Sequence, residues 1–118
     1  MCGIAGIMTK KGTMPDLALV ECFRKDLRHR GPDGDGAHIS GNVAMVQTRL
    51  AIIDLETGDQ PLLEPGGAAL IANGEIYNYL ELREELSDVE FATHSDCEPP
   101  LHLYRLARTL PCCCPHRD

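Results

Sequence analysis

Glycine and proline break this chain so often that only short strands and short helices fit between the breaks. Its 11 glycines and 8 prolines cluster in turn-forming pairs, which limits the elements before Asn73-Gly74 to brief runs. Residues 3–8 read as a short buried strand, and Lys10-Lys11-Gly12 turns the chain. Pro15 is expected as the first residue of a helix, with Asp16 beside its positive end. Leu17, Val20, Phe23 and Leu27 give that helix one apolar face. Arg28, His29 and Arg30 crowd its last turn, and Gly31-Pro32 stops it.

Residues 32–36 read as a tight loop. Strands over 37–40 and 43–48 then flank Gly41-Asn42 as a hairpin, the second run continuing through Asp54. Turns are expected at residues 57–59 and 64–67, with a buried strand over 68–72. Residues 79–86 read as a helix with Glu81, Arg83, Glu84 and Glu85 on its wet side, and residues 89–92 as a last strand. Ser95 and Glu98 have capping-box spacing and open a helix carrying Leu101, Leu103, Tyr104 and Leu106. Pro99 and Pro100 are expected to make its first turn irregular. Residues 107–118, with two prolines around Cys112, Cys113 and Cys114, share no pattern with what precedes them and are expected to be an unstructured tail.

Aromatic residues make up 4% of the chain and tryptophan is absent, so the core must be aliphatic. A formal net charge of −7 argues against a nucleic-acid partner. No apolar run approaches a membrane span, and no secretion-signal pattern opens the chain; the expectation is a cytoplasmic protein with no membrane partner. Cys2, Cys22 and Cys97 are scattered and the other three cysteines are consecutive, unlike a disulfide framework or a spaced zinc site. Free thiols and no metal are expected, with Cys22 and Cys97 as small buried residues.

Cys2 has a chemistry of its own. A methionine followed by a small side chain is a substrate for removal, which would leave Cys2 with a thiol and a free α-amine on one residue. Such a residue holds both nucleophile and base. Free α-amines titrate near ~7.7–8.0 and free thiols near ~8.5, so proton transfer between them is close to thermoneutral.

Five motifs in order give that thiol a context: CGIAGI at 2–7, RHRGPDG at 28–34, RLAIIDLETGDQPL at 49–62, NGEIYNY at 73–79 and SDCE at 95–98. Together they resemble the glutaminase domain of the class II glutamine amidotransferases, and within that superfamily the asparagine synthetase branch. The resemblance implies an α+β fold, the N-terminal-nucleophile (Ntn) hydrolase αββα sandwich, over residues 2–106, incomplete on its C-terminal side. It implies hydrolysis of the glutamine side-chain amide to glutamate and ammonia through a thioester on Cys2. The Asn73 side-chain amide and the Gly74 N–H would hold the oxyanion. Arg49 would clamp the α-carboxylate, as a planar bidentate guanidinium suits. Glu75 and Asp96 would accept from the α-ammonium, and the backbone of Leu50, Ala51, Ile52 and Ile53 would line the same pocket. Arg28, His29 and Arg30 either shape the loop over the site or cap the helix. Asn73-Gly74 alone would read as a type I′ turn.

No cofactor is expected for the glutaminase reaction. ATP and Mg belong to the synthetase domain, whose Ser-Gly-Gly-x-Asp-Ser loop this sequence lacks. The expected partners are L-glutamine and a synthetase domain or subunit, with oligomerisation left open. Two other readings stay open: an inactive fragment that at most binds glutamine or a partner, and a glutaminase subunit of another amidotransferase.

Overall fold

The computed structural model describes residues 2–52 and 56–109. It is an α+β arrangement built around two small antiparallel sheets. Three strands, β1 (Gly3–Met8), β2 (Gly34–Ser40) and β3 (Val43–Arg49), form the first sheet in the order β1-β3-β2. The second is a hairpin of β4 (Leu62–Leu63) and β5 (Ala69–Leu70). Helix α1 (Leu17–Leu27) joins β1 to β2, while α2 (Tyr79–Glu85) and α3 (Glu98–Thr109) follow the second sheet.

The register decides which side chains share a face. Gly3 pairs with Thr48, Ala5 with Val46 and Ile7 with Ala44, so these six lie on one side of the first sheet. Helix α1 covers that side: Val20, Ala44 and Val46 form a buried cluster against which Ile7, Phe23 and Leu27 pack. Ile4, paired with Gln47, lies on the opposite side, as does Cys2 by strand alternation. A second aliphatic cluster of Leu62, Cys97 and Leu101, with Ala68, Leu70 and Ala72 against it, ties the small hairpin to α3.

Gly36 lets the two halves meet. A Cβ there would collide with the carbonyl oxygen of Gln60, so the chain before β4 crosses the sheet where side-chain bulk is missing. The Gln60 side chain then accepts a hydrogen bond from the Ala72 N–H at 2.6 Å. Gly31 does the same for the end of β3, since a Cβ on it would strike the backbone of Thr48 and Arg49.

Several local expectations are revised. Helix α1 starts at Leu17 rather than Pro15, because Asp16 caps it: its Oδ1 accepts from the Ala18 N–H at 2.9 Å. Leu17, at the first helical position, stays exposed. Strand β2 begins at Gly34, inside the expected loop, where Gly34 pairs with Arg49. Strand β3 stops at Arg49 instead of running on, and Ile53, Asp54 and Leu55 lie outside the described residues. Residues 89–92 are no strand. The Val89 N–H donates to the Leu86 carbonyl at 2.9 Å, and Glu98 accepts from the N–H groups of Ala92 and the following Thr93 at 2.7 and 2.8 Å. The first turn of α3 is helical despite Pro99 and Pro100, because N–H groups there have no acceptor within a helix in any case. Helix α3 runs through Thr109; residues 110–118 of the expected tail lie outside the described residues.

Candidate active site

Cys2 enters the first sheet beside the end of β3. The Leu50 N–H donates to its Sγ at 3.4 Å, and the thiol faces the Leu50 carbonyl at 3.7 Å. Arg30 holds the same residue from the other side, its Nε donating to the Cys2 carbonyl at 3.3 Å. The basic run after α1 therefore reaches Cys2 through Arg30. His29 turns back to the carbonyl of Asp26 at 2.7 Å.

The loop after Gly31 fixes the exit of β3. Asp33 N–H donates to the Arg49 carbonyl at 3.0 Å, and the Asp33 carboxylate accepts from Ala51 N–H at 2.9 Å. Arg49 is itself buried, at 7% exposure, and its Nη1 donates to Asp59 Oδ1 at 2.8 Å.

On the far side, the segment before α3 is anchored by buried Glu98. Besides the two N–H groups, Glu98 accepts from the Thr93 hydroxyl at 2.6 Å, and His102 Nε2 lies 3.3 Å from its Oε1. Arg83 approaches to 3.6 Å, lies 4.2 Å over the Phe91 ring, and donates to the Thr93 and Ser95 carbonyls. It is thus no solvent-facing residue of α2, contrary to its expected place on the wet side. Burial pushes the Glu98 carboxyl upward, but its hydrogen bonds outweigh this and hold it below the usual range. Just ahead of it, Asp96 accepts from the Ile76 N–H at 2.7 Å and so pins the segment that follows Asn73-Gly74.

These three supports enclose one cavity of about 350 Å³, within the size range of small-ligand sites. Cys2, Arg49, Leu50, Ile52, Asn73, Gly74, Glu75 and Asp96 all line it. Eight of the residues singled out from sequence thus meet in one place. Ala51 is not among the lining residues, its N–H being turned to Asp33, and Ile53 lies outside the described residues. Gly74 is not one of the left-handed glycines, so Asn73-Gly74 does not form the type I′ turn that the pair alone suggests.

Sequence reasoning passed over Gln47, Gln60 and Ser95, which also line the cavity. Gln47 had a signal: it stands two residues before Arg49 in a strand, on the same face. Cys97 lines the cavity too, and burial, then the neighbouring Asp96 charge, push its thiol up to about 11. Cys22, by contrast, is exposed rather than buried, on the solvent side of α1.

The ordered motifs contribute the residues that meet in this cavity, and comparison with known proteins gives the family of the chain that carries them. Residues 1–109 match the glutamine amidotransferase domain family, and the chain belongs to it. Its relatives include a probable glutamine-hydrolysing asparagine synthetase of Dictyostelium discoideum, 49% identical over 111 residues, covering 88% of this chain and 20% of that protein. A glutamine-hydrolysing asparagine synthetase of Saccharomyces cerevisiae is 48% identical over 105 residues, covering 88% and 18%. Asparagine synthetase 3 of Arabidopsis thaliana is 43% identical over 107 residues, with the same coverage. The chain spans about a fifth of the length of these relatives.

Proposed function

We propose that this chain hydrolyses the side-chain amide of L-glutamine to glutamate and ammonia. The observation that carries the reading is the single cavity holding Cys2, Arg49, Asn73, Gly74, Glu75 and Asp96 together. Its charged groups match an amino acid: one buried guanidinium for the α-carboxylate and two carboxylates for the α-ammonium.

With Met1 removed, the Cys2 amine takes the thiol proton and the thiolate attacks the amide carbon. Charge developing on the carbonyl oxygen is met by the Asn73 amide and the Gly74 N–H. Losing one donor of this kind commonly reduces rate ~10²–10³-fold. The protonated amine then gives its proton to the departing nitrogen, the C–N bond breaks, and ammonia leaves. Water attacks the resulting thioester, releasing glutamate and restoring the thiol.

On this reading the α+β fold is part of an αββα N-terminal-nucleophile hydrolase sandwich. The ammonia serves a synthetase domain or subunit of the asparagine-forming kind, where ATP and Mg are used, in the cytoplasm. Among the described residues no helix is long and apolar enough to cross a membrane.

The test is glutamate release from glutamine by purified protein whose Met1 removal is verified by intact mass. Turnover that disappears in Cys2→Ala supports the proposal. A folded, processed sample that releases no glutamate refutes it.

A further inference from the structure

Gln47 sits in β3 with 1% of its surface exposed, and it lines the cavity that holds Cys2. Neither its Oε1 nor its Nε2 has a hydrogen-bond partner among the described residues. Its cross-strand neighbours are Ile4 and Gly36, whose side chains bring no polar group. Native interiors rarely keep a carboxamide unpaired on both sides, because each buried, unsatisfied polar atom is destabilising. An apolar residue would fill this position more stably, so the retained amide points to a partner that arrives with a ligand.

We infer that Gln47 is a specificity residue that reads the side-chain amide of the bound substrate. The inference deepens the hydrolase reading and rests on it. Strand alternation puts Gln47 on the same sheet face as Arg49, two residues on, and its pairing with Ile4 puts it on the face of Cys2. The charged end of glutamine has charged counterparts in Arg49, Glu75 and Asp96 on the cavity wall. The substrate's one neutral polar group is its amide, which offers a donor and an acceptor, as does the Gln47 carboxamide. Oε1 accepts from the substrate NH₂, which an ester lacks.

Gln47→Met removes both polar atoms at nearly constant volume. Its melting temperature is expected to hold or rise, a sign opposite to that of a structural hydrogen-bonding residue. Its preference for glutamine over glutamate γ-methyl ester, taken as the ratio of kcat/KM values, is expected to fall about tenfold, as loss of one neutral hydrogen bond implies. Gln47→Leu reports the same ratio should Gln47→Met fail to fold. An unchanged ratio in a folded, active variant overturns the inference, and means that Gln47 is satisfied by water alone. Wild-type protein that hydrolyses neither compound instead brings down the hydrolase reading, and this inference with it.

Discussion

The guanidinium of Arg49 and the carboxylate of Asp59 are 2.8 Å apart, one side chain buried and the other 83% exposed. The cation proposed to receive the substrate's α-carboxylate therefore already faces a carboxylate of this chain. Asp59 must yield or share when glutamine binds. An ion pair with one exposed partner contributes little, at most ~1 kcal/mol. Asp59→Asn is accordingly expected to lower KM for glutamine about two- to fivefold with kcat unchanged. Steady-state glutamate release reads this directly, and a raised KM would make Asp59 a holder of Arg49 and not its competitor.

The two cavity cysteines are expected to differ in reactivity. With its thiol pushed up to about 11, Cys97 is about one-thousandth thiolate at pH 8, and thiolate is the reactive form. Iodoacetamide at pH 8 is expected to modify exposed Cys22 and cavity-lining Cys2 while sparing Cys97. Cys97 should label only when the pH rises past about 10 or the protein unfolds. Peptide mapping by mass spectrometry distinguishes the sites, and rapid labelling of Cys97 in folded protein at pH 8 would contradict the assignment.

How much of this was legible in the sequence depended on whether the information was local. Gly41-Asn42 and the strand-like run 43–48 act through neighbouring residues, and the corresponding hairpin and strand are present, whereas Asp16, read as lying inside the helix behind Pro15, is its cap. Residues 89–92 had the composition of a strand, but Glu98 satisfies the Ala92 and Thr93 N–H groups from the next helix. Arg83 read as solvated on helical spacing, yet it lies against Phe91, eight positions on. For the site, the motifs picked out residues with distinctive chemistry, and eight of them share the cavity. Gln47 escaped because its one sequence signal, a place two residues before Arg49 on the same strand face, says nothing about burial. Its burial without partners, a tertiary fact, is what singles it out.

Glu98 makes stability depend on pH in one direction. Its folded carboxyl is held below the ordinary range, and Glu64, bonded to Gly66, Arg105 and Ala68, shifts the same way. A carboxylate depressed on folding contributes stability in full above its unfolded value near ~4.3 and loses it as pH falls through the folded value. The urea midpoint is therefore expected to fall from pH 5 downward, with a shallower dependence in Glu98→Gln. At pH 7, Glu98→Ala removes the buried carboxylate that pairs with Arg83 and accepts from Ala92 and Thr93, and should destabilise by about 3–5 kcal/mol. Equal pH slopes for wild type and Glu98→Gln would remove Glu98 from this role.

Two glycines on the path to the cavity should fail in opposite ways when replaced by alanine. At Gly36 the new methyl would meet the Gln60 carbonyl and the Pro61 ring. Backbone cannot rotate aside as a side chain does, so the second hairpin must shift, at a cost of about 1–3 kcal/mol. Gln60 and Ala72, joined by their hydrogen bond and both lining the cavity, would move with it. Gly36→Ala should therefore lose stability and the proposed glutaminase activity together. At Gly74 no heavy atom lies within 4 Å of the added carbon, and the backbone is not left-handed, so Gly74→Ala should melt close to wild type. Its methyl would stand beside the proposed oxyanion donor, where a misplacement of ~1 Å can reduce rate ~10²-fold. Thermal melts paired with glutamate release separate the two effects. A destabilised Gly74→Ala, or a Gly36→Ala as stable as wild type, would show that the backbone approaches differ from those described.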